Sequence, residues 1–478
     1  MRGFHRLVSC MGWMACLLLL LVLVSHTGTA TAEVHGALEV VEGKYVLTVW
    51  GTHAERGHAA GFLLGEQAKT VFDEYFIDYF CGGSAGLYNY CRNLFTSSFT
   101  VDAEYQAEAA AVHDGMVAAG VDLHNEVLGR EIDAVDFLVC NAIVDLSQYG
   151  DRFNAEGDQP FGCSSLSSWG TSTLEDPELG GHLVITRHLD WSKHPVLTDN
   201  AAIVVHLPAE DDEQPWVSMT YAGLMGALSG VSHARVGAFL NMGNVTTGTQ
   251  GAPFHPILFA LRTGLEKADY NGDGSHGADD IEEAFADRSR CAAVIVHVAD
   301  DEGVDPVPVV VECNNAAGVA TRTVAENTVI PGEHLVATNH FRALYNPVYC
   351  SRYQALADSL TANGAMTCAR SWDVMAGAAG QPSNIMAIQF VPSQDVLACA
   401  VDTYTQPAYL QTPTVFDLGT LFGDDPAAVE ENGGGVHIRS GEPDGSVPWA
   451  AHGSTPEGIG GIILTAAPNP FRQETVLT

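Results

Sequence analysis

Cys163 stands in Phe161-Gly162-Cys163-Ser164-Ser165, and downstream come Arg187-His188-Leu189-Asp190-Trp191 and Thr338-Asn339-His340-Phe341. A cysteine attacks a carbonyl only as thiolate, so it needs a cation or a base beside it. Arg187 can supply the positive field, and Asp190 can hold a second group in place. Asn339 can donate an amide hydrogen to a developing oxyanion. Gly162 suits a tight bend before the nucleophile, because glycine tolerates backbone angles other residues avoid. His340 offers a different pairing, a thiol–imidazole dyad with Cys163. The chemistry in view is acyl transfer through a thioester.

The order Gly-Cys, Arg-x-x-Asp-Trp, Thr-Asn-His-Phe resembles the N-terminal-nucleophile hydrolases of the penicillin acyltransferase type, whose wider relatives include choloylglycine hydrolases and acid ceramidase. The resemblance spans about residues 34–418. It implies an α+β fold, a four-layer αββα sandwich built partly from the segment before Cys163. It also implies that the chain cuts itself between Gly162 and Cys163, leaving a two-chain heterodimer. The freed α-amine then serves as general base, with a reference pKa of about 8. By the same resemblance Arg187 favours the thiolate, Asp190 orients the α-amine and Asn339 serves the oxyanion hole. Arg352, in Ser351-Arg352-Tyr353, matches a second supporting arginine. The substrate implied is a small N-acyl molecule, with no organic cofactor. One segment departs from the family pattern: Gly230-Val231-Ser232-His233-Ala234-Arg235-Val236-Gly237 carries Ser232 where relatives carry asparagine, and Asn241 or Asn244 is the nearby substitute. A phospholipase B-like or lipid amidase/esterase activity on the same fold, or a secreted calcium-binding protein without catalysis, are the competing readings.

A second constellation lies between these motifs. With Asp269 as position 1, oxygen-bearing side chains fall at Asp269, Asn271, Asp273 and Ser275, with Gly274 at position 6 and Asp280 at 12. This is EF-hand spacing, which wraps a hard cation in oxygens around a sharp glycine turn. Aspartate at position 12 resembles dockerin loops. The expectation is one structural Ca2+.

The rest of the sequence sets the context for these groups. Arg2 and Arg6 precede an apolar run at 11–24, and Ala30-Thr31-Ala32 offers a cleavage site, so residues 1–32 read as a signal peptide. The run is shorter than the ~20 residues of a membrane-spanning helix. Secretion, or a surface or periplasmic location without stable membrane insertion, is expected. Loss of the leader would deepen the net charge from −37 to −39, which repels nucleic acid and anionic lipid. Of eleven cysteines, Cys10 and Cys16 would leave with the leader. Setting Cys163 aside, the even remainder predicts up to four disulfides, with Cys81 and Cys91 the most plausible local pair. Irregular spacing argues against a zinc site.

Periodicity predicts a strand at 45–50 and helices at 102–119 and 131–148 within a helical segment 33–162. From Cys163 the texture turns to short apolar runs at 183–186, 202–207, 217–221, 236–242, 292–298, 307–312, 335–337, 385–391 and 396–401, with helices near 257–267, 281–287, 349–362 and 371–379. The catalytic segment is then 163–422, with the calcium loop inserted at 269–280. A Gly/Asp/Glu/Pro-rich linker follows at 423–460. The tail at 461–478 contains Ala467-Pro468-Asn469-Pro470-Phe471, which resembles the opening of a bacterial type IX sorting domain.

Overall fold

The structure, a computed structural model, describes residues 34–149, 162–244, 251–301, 307–315 and 317–423. The expected leader, nearly all of the linker and the sorting-like tail lie outside the described residues. In chain order the strands that form the two main sheets are β1 Gly36–Val41, β2 Lys44–Gly51, β3 Ser164–Ser168, β4 Val184–Asp190, β5 Ala201–Pro208, β6 Trp216–Tyr221, β7 Ser229–Ser232, β8 Gly237–Met242, β9 Val294–Ala299, β10 Val309–Asn314, β11 Gly318–Arg322, β12 His334–Ala337, β13 Asn384–Val391, β14 Val396–Val401 and β15 Thr414–Asp417. Nine of them make one sheet, ordered β1-β2-β5-β6-β7-β8-β9-β10-β11. Six make the other, ordered β12-β3-β4-β13-β14-β15. Every pairing is antiparallel except β2 with β5.

The two sheets face each other. Ser165 and Ser167 on β3 reach the two ring nitrogens of His297 on β9, each at 2.8 Å. Arg187 on β4 donates to the Leu240 carbonyl on β8 at 2.6 Å. Strands sandwiched this way are buried on both faces, which is why β9 and β13 are buried at every position and lack polar alternation.

Helices cover the outer faces. Helices α1 His53–Thr70, α2 Ala103–Ala119, α3 Ile257–Glu266 and α4 Ala278–Ala286 lie on the nine-stranded side, and α5 Ser351–Ala362 and α6 Cys368–Ala379 on the six-stranded side. Leu166, Val184, Leu356, Leu360 and Met375 fill the second interface. The result is the expected four-layer αββα sandwich.

α1 begins at a Thr52–Glu55 capping box, and α2 stops at Gly120 in the left-handed region (φ 78°). The two helices touch backbone to backbone. A Cβ on Gly61 would lie 1.9 Å from the Val112 carbonyl oxygen, so only glycine fits. A knot of buried charge ties this layer together. His53 bridges Glu108 at 2.6 Å and Glu213 at 2.8 Å, Arg56 binds Glu213 at 2.7 Å, and Arg262 binds Glu108 and Glu266. Burial opposes a charge on His53, but its hydrogen bonds to Glu108 and Glu213 outweigh it and push the pKa up to about 9. Ligand atoms of His53, Glu213 and Glu266 lie within 4.8 Å of one another. Arg56, Arg262 and Lys267 already neutralise those carboxylates, so the group is an ion-pair knot.

Two expectations need correction. The helix expected at 131–148 is two, Ala134–Asn141 and Ile143–Gln148, separated at Ala142. No disulfide forms among the described residues; the nine cysteines from Cys81 to Cys399 are free, buried thiols. Cys81 and Cys91 do face each other, but most of the others are dispersed over separate strands and helices. An even count says nothing about neighbours in space. Among the described residues, no helix is long and apolar enough to cross a membrane.

Candidate active site

Cys163 lies immediately before β3, beside the end of β4, so the Gly162–Cys163 peptide bond lies where the two strands meet. Register pairs Ser165 with Arg187 and Ser164 with His188. Arg187 and Asp190 are an odd number of residues apart on one strand, so their side chains leave on opposite faces. Arg187 points between the sheets, and its Nη2 is 3.9 Å from the Cys163 Sγ. Asp190 faces the α5 side, 3.7 Å from Arg352 Nη1.

Arg352, from the first turn of α5, makes the densest set of contacts. Its Nη1 donates to the Gly162 carbonyl at 2.6 Å, the Cys163 carbonyl at 2.7 Å and Ser164 Oγ at 2.7 Å. Its Nη2 donates to Asn339 Oδ1 at 2.7 Å. Asn339 in turn donates Nδ2 to the Met242 carbonyl at 2.8 Å, which leaves one amide hydrogen uncommitted. The five sequence candidates Cys163, Arg187, Asp190, Asn339 and Arg352 therefore converge on one peptide bond.

Electrostatics distinguish the members. Burial pushes the Cys163 thiol up, and although Arg187 pulls it down, the net shift is upward. The field of Arg187 does not offset that burial. Asp190 is fully buried, and that burial pushes its carboxyl up to about 7 against the pull of Arg352, Asn384 and Arg187. Its Oδ1 accepts from Asn384 Nδ2 at 3.1 Å, and its Oδ2 has no hydrogen bond. A group titrating near neutrality, beside the Gly162–Cys163 bond, is suited to proton transfer.

Several details differ from the sequence reading. Gly162 has no left-handed φ; a Cβ there would instead crowd Asp190 Oδ2 at 3.3 Å and Arg352 at 3.4 Å. Glycine is favoured by space. His340 does not pair with Cys163: its Nε2 is 3.4 Å from Asn244 Nδ2 and its ring faces Cys350. Ser232 is at the far end of the β7–β8 hairpin, where its Oγ accepts from Val236 N. Asn241 is the asparagine near the site, with Nδ2 3.4 Å from Ser165 Oγ and a buried Oδ1 lacking a partner. Asn384, which orients Asp190, carries no spacing signal that could have singled it out.

An apolar cavity of about 50 Å³ adjoins this group, lined by Tyr75, Phe76, Leu189, Trp191, Tyr221 and Leu228 among others. Leu189 precedes Asp190, and the Leu228 carbonyl accepts from Leu240 N, whose own carbonyl holds Arg187. The cavity is thus joined to the site through β4 and the β7–β8 pairing, although none of the five site residues lines it.

Four of the five candidate metal ligands, Asp269, Asn271, Asp273 and Ser275, occupy the loop between α3 and α4, and Asp280 lies in the first turn of α4. Asp269 accepts from Gly272 N at 2.9 Å and Gly274 N at 3.0 Å, Asn271 from Asp273 N at 2.9 Å, and Asp273 from Ser275 N at 2.9 Å. Gly274 has φ 98°, the turn that position 6 requires. Asp280 is different: buried, it accepts from the Tyr270, Asn271 and Gly277 amides and caps α4.

No family model and no curated protein matches the chain. Matching solved structures include an N-acylethanolamine-hydrolyzing acid amidase ortholog from Caenorhabditis elegans, with 16% identity over 53% of this chain and 100% of that one, at a TM-score of 0.36. Two variant forms of conjugated bile acid hydrolase from Clostridium perfringens match at 8% and 10% identity, over 54% of this chain and 95% of theirs, with TM-scores of 0.34 and 0.35.

The raised pKa of Asp190 fixes a sign. Between about pH 4 and pH 7 the folded chain keeps a proton that the unfolded chain has released, so this group's contribution to stability falls as pH rises through that window. In an uncut Cys163→Ala background, adding Asp190→Asn should improve relative thermal stability progressively from pH 4 to pH 7, then level off. Parallel melting profiles for the two chains across that range would contradict a buried, neutral Asp190.

Proposed function

We propose that the chain is a self-processing cysteine N-terminal-nucleophile amidase. The observation that carries this reading is the seat of the Gly162–Cys163 bond: its carbonyl is held by Arg352, its far side faces the Asp190 carboxyl, and the thiol lies beside Arg187. The chain's own peptide occupies the position a substrate amide would take. In self-cleavage the Cys163 sulfur adds to the Gly162 carbonyl carbon, and Arg352 stabilises the oxygen as negative charge develops. The C–N bond then breaks as the thiol proton passes to the departing nitrogen, giving a thioester and an α-amine. Water hydrolyses the thioester, releasing Gly162 as a carboxylate.

The freed α-amine of Cys163, oriented by Asp190, then takes the thiol proton when substrate arrives. Arg187 stabilises the thiolate. Asn339 and Asn241 are the candidates to bind the oxyanion, and loss of one such donor typically costs about 3 kcal/mol. The acyl group passes to Cys163 as a thioester and leaves to water or an amine. The apolar lining beside Leu189 favours substrates with apolar acyl groups, among them lipid amides and esters. Export is supported by the charged and apolar pattern of residues 1–32. A structural Ca2+ at Asp269, Asn271, Asp273 and Ser275 is supported by the all-oxygen donor set and the Gly274 turn, whereas Asp280 is committed to backbone amides.

Purified protein should separate into a chain ending at Gly162 and one beginning at Cys163. Cys163→Ala should remain a single chain, and Arg352→Met should slow cleavage by about 10²-fold or more. A wild-type chain that stays intact yet hydrolyses a panel of N-acyl amino acids, N-acyl amines and acyl esters at full rate would sink the mechanism.

Calcium should raise the melting temperature of the wild type, because a ligand bound only to the folded state stabilises it by mass action. Asp269→Ala/Asp273→Ala should lose that increment and no more. Equal melting temperatures for the wild type with calcium and with chelator would exclude the cation.

A further inference from the structure

Two asparagines are the candidates for the oxyanion, and they are anchored differently. Asn339 commits one amide hydrogen to the Met242 carbonyl and has its Oδ1 held by Arg352. Asn241 on β8 is also buried, but among the described residues its side-chain amide has one hydrogen bond. Its Nδ2 is 3.4 Å from Ser165 Oγ, and its Oδ1 has no partner. Whatever fixes the Ser165 hydroxyl therefore fixes the Asn241 amide.

That hydroxyl belongs to a chain of hydrogen bonds crossing between the sheets. Ser165 Oγ is 2.8 Å from His297 Nδ1, and Ser167 Oγ is 2.8 Å from His297 Nε2. Ser167 Oγ also lies 3.5 Å from the Leu335 carbonyl on β12. A carbonyl only accepts, so Ser167 donates to Leu335 and accepts from His297 Nε2–H. A neutral imidazole carries one such hydrogen, so Nδ1 accepts from Ser165. The Ser165 oxygen then accepts from Asn241 Nδ2. The opposite tautomer would aim the Ser165 hydroxyl hydrogen at an amide nitrogen that cannot accept it. One direction satisfies every link, and it commits one Asn241 hydrogen while leaving the second for a ligand.

The surroundings of the ring keep that direction. Burial, aided by Arg322, holds His297 down at about 3. Arg322, at the end of β11, donates Nη2 to the Val336 carbonyl at 2.7 Å and is 3.4 Å from Glu312 on β10. Glu312 is itself fixed by the amides of Arg342, Ala343 and Leu344 at 2.8–3.0 Å. The other end of the chain reaches the site. Cys163 and Ser165 are two residues apart and share the inter-sheet face by strand alternation. Leu240, next to Asn241, holds the Arg187 guanidinium, whose Nη2 is 3.9 Å from the sulfur.

We propose that His297 is a positioning residue for the reaction at Cys163, acting through Ser165 to aim the Asn241 amide at the oxyanion. The inference rests on the amidase reading of the site. Without the Ser165 hydroxyl the amide turns about its last bond, and its donor is no longer preorganised for the charge that develops. No bond to His297 forms or breaks, and its hydrogen stays on Nε2 throughout.

Two measurements test this. The first needs no turnover: the ring-nitrogen chemical shifts of isotope-labelled histidine in the full-length Cys163→Ala chain, with the His297 signals identified by their loss in His297→Gln. His297 should carry its hydrogen on Nε2 and show no titration between pH 5 and pH 8. A hydrogen on Nδ1, or a charge gained within that range, would overturn the relay. The second is a double-mutant cycle on hydrolysis of a dodecanoyl anilide. Asn241→Ala should lower kcat by about 10²-fold, Ser165→Ala by about tenfold with KM little changed, and the double variant no further than Asn241→Ala. A double variant in which the two losses multiply would show that Ser165 acts apart from Asn241 and would overturn the positioning role. An uncut, inactive wild type would strike the amidase reading, whereas an Nδ1–H tautomer in an active enzyme would strike the relay alone.

Discussion

One guanidinium fixes the geometry on which the site depends. Arg352 holds the Gly162 and Cys163 carbonyls, Ser164 Oγ and the Asn339 side chain at once. Its fork of donors suits this task, since arginine presents several hydrogens in a rigid plane and keeps its charge. If that clamp is removed, the Gly162 carbonyl loses its guanidinium donor and Asn339 loses the partner that orients its amide. The carboxyl of Asp190, buried and pushed up to about 7, would lose its nearest cation. The Gly162–Cys163 peptide, the Asp190 carboxyl and the Asn339 amide thus share one anchor at the start of α5.

The sandwich exists to bring such groups to one place from distant parts of the chain. β3 and β4 carry the thiol and its arginine, the β8 strand supplies the Leu240 carbonyl and Asn241, and α5 supplies the clamp. A polar seam crosses the inter-sheet space, where His297 joins Ser165 and Ser167 and Arg187 crosses to β8. Burial holds His297 down at about 3, so it stays neutral and serves as a fixed hydrogen-bonding strut. On the outer face, the His53–Glu108–Arg262 knot and the glycine contact of α1 with α2 lock the helical layer that backs the larger sheet.

Much of this was legible in the sequence, and the failures have physical causes. Apolar runs identified strands such as 217–221 and 385–391, because strands buried on both faces need no polar alternation. β3 was missed because Ser-Ser-Leu-Ser-Ser has no apolar run; its serines are satisfied by His297 across the sheets, His334 on the neighbouring strand and Arg352 on α5, contacts that sequence does not display. Arg187 and Asp190 were legible as a pair from their spacing, yet only the strand shows that their side chains leave on opposite faces, one toward the thiol and one toward Arg352. Asn384 and Glu312 act through contacts from distant strands and left no local mark. Cysteine parity misled because number does not encode proximity.

The account's central claim is that Cys163 carries the acyl group. The direct measurement is acid-quenched turnover of an anilide bearing a dodecanoyl chain, followed by intact-mass and peptide analysis. The account predicts a hydroxylamine-labile increment equal to the acyl group on the chain that begins at Cys163, located on that residue. Undiminished hydrolysis with no such adduct, or an adduct on another residue such as Cys350, would contradict it.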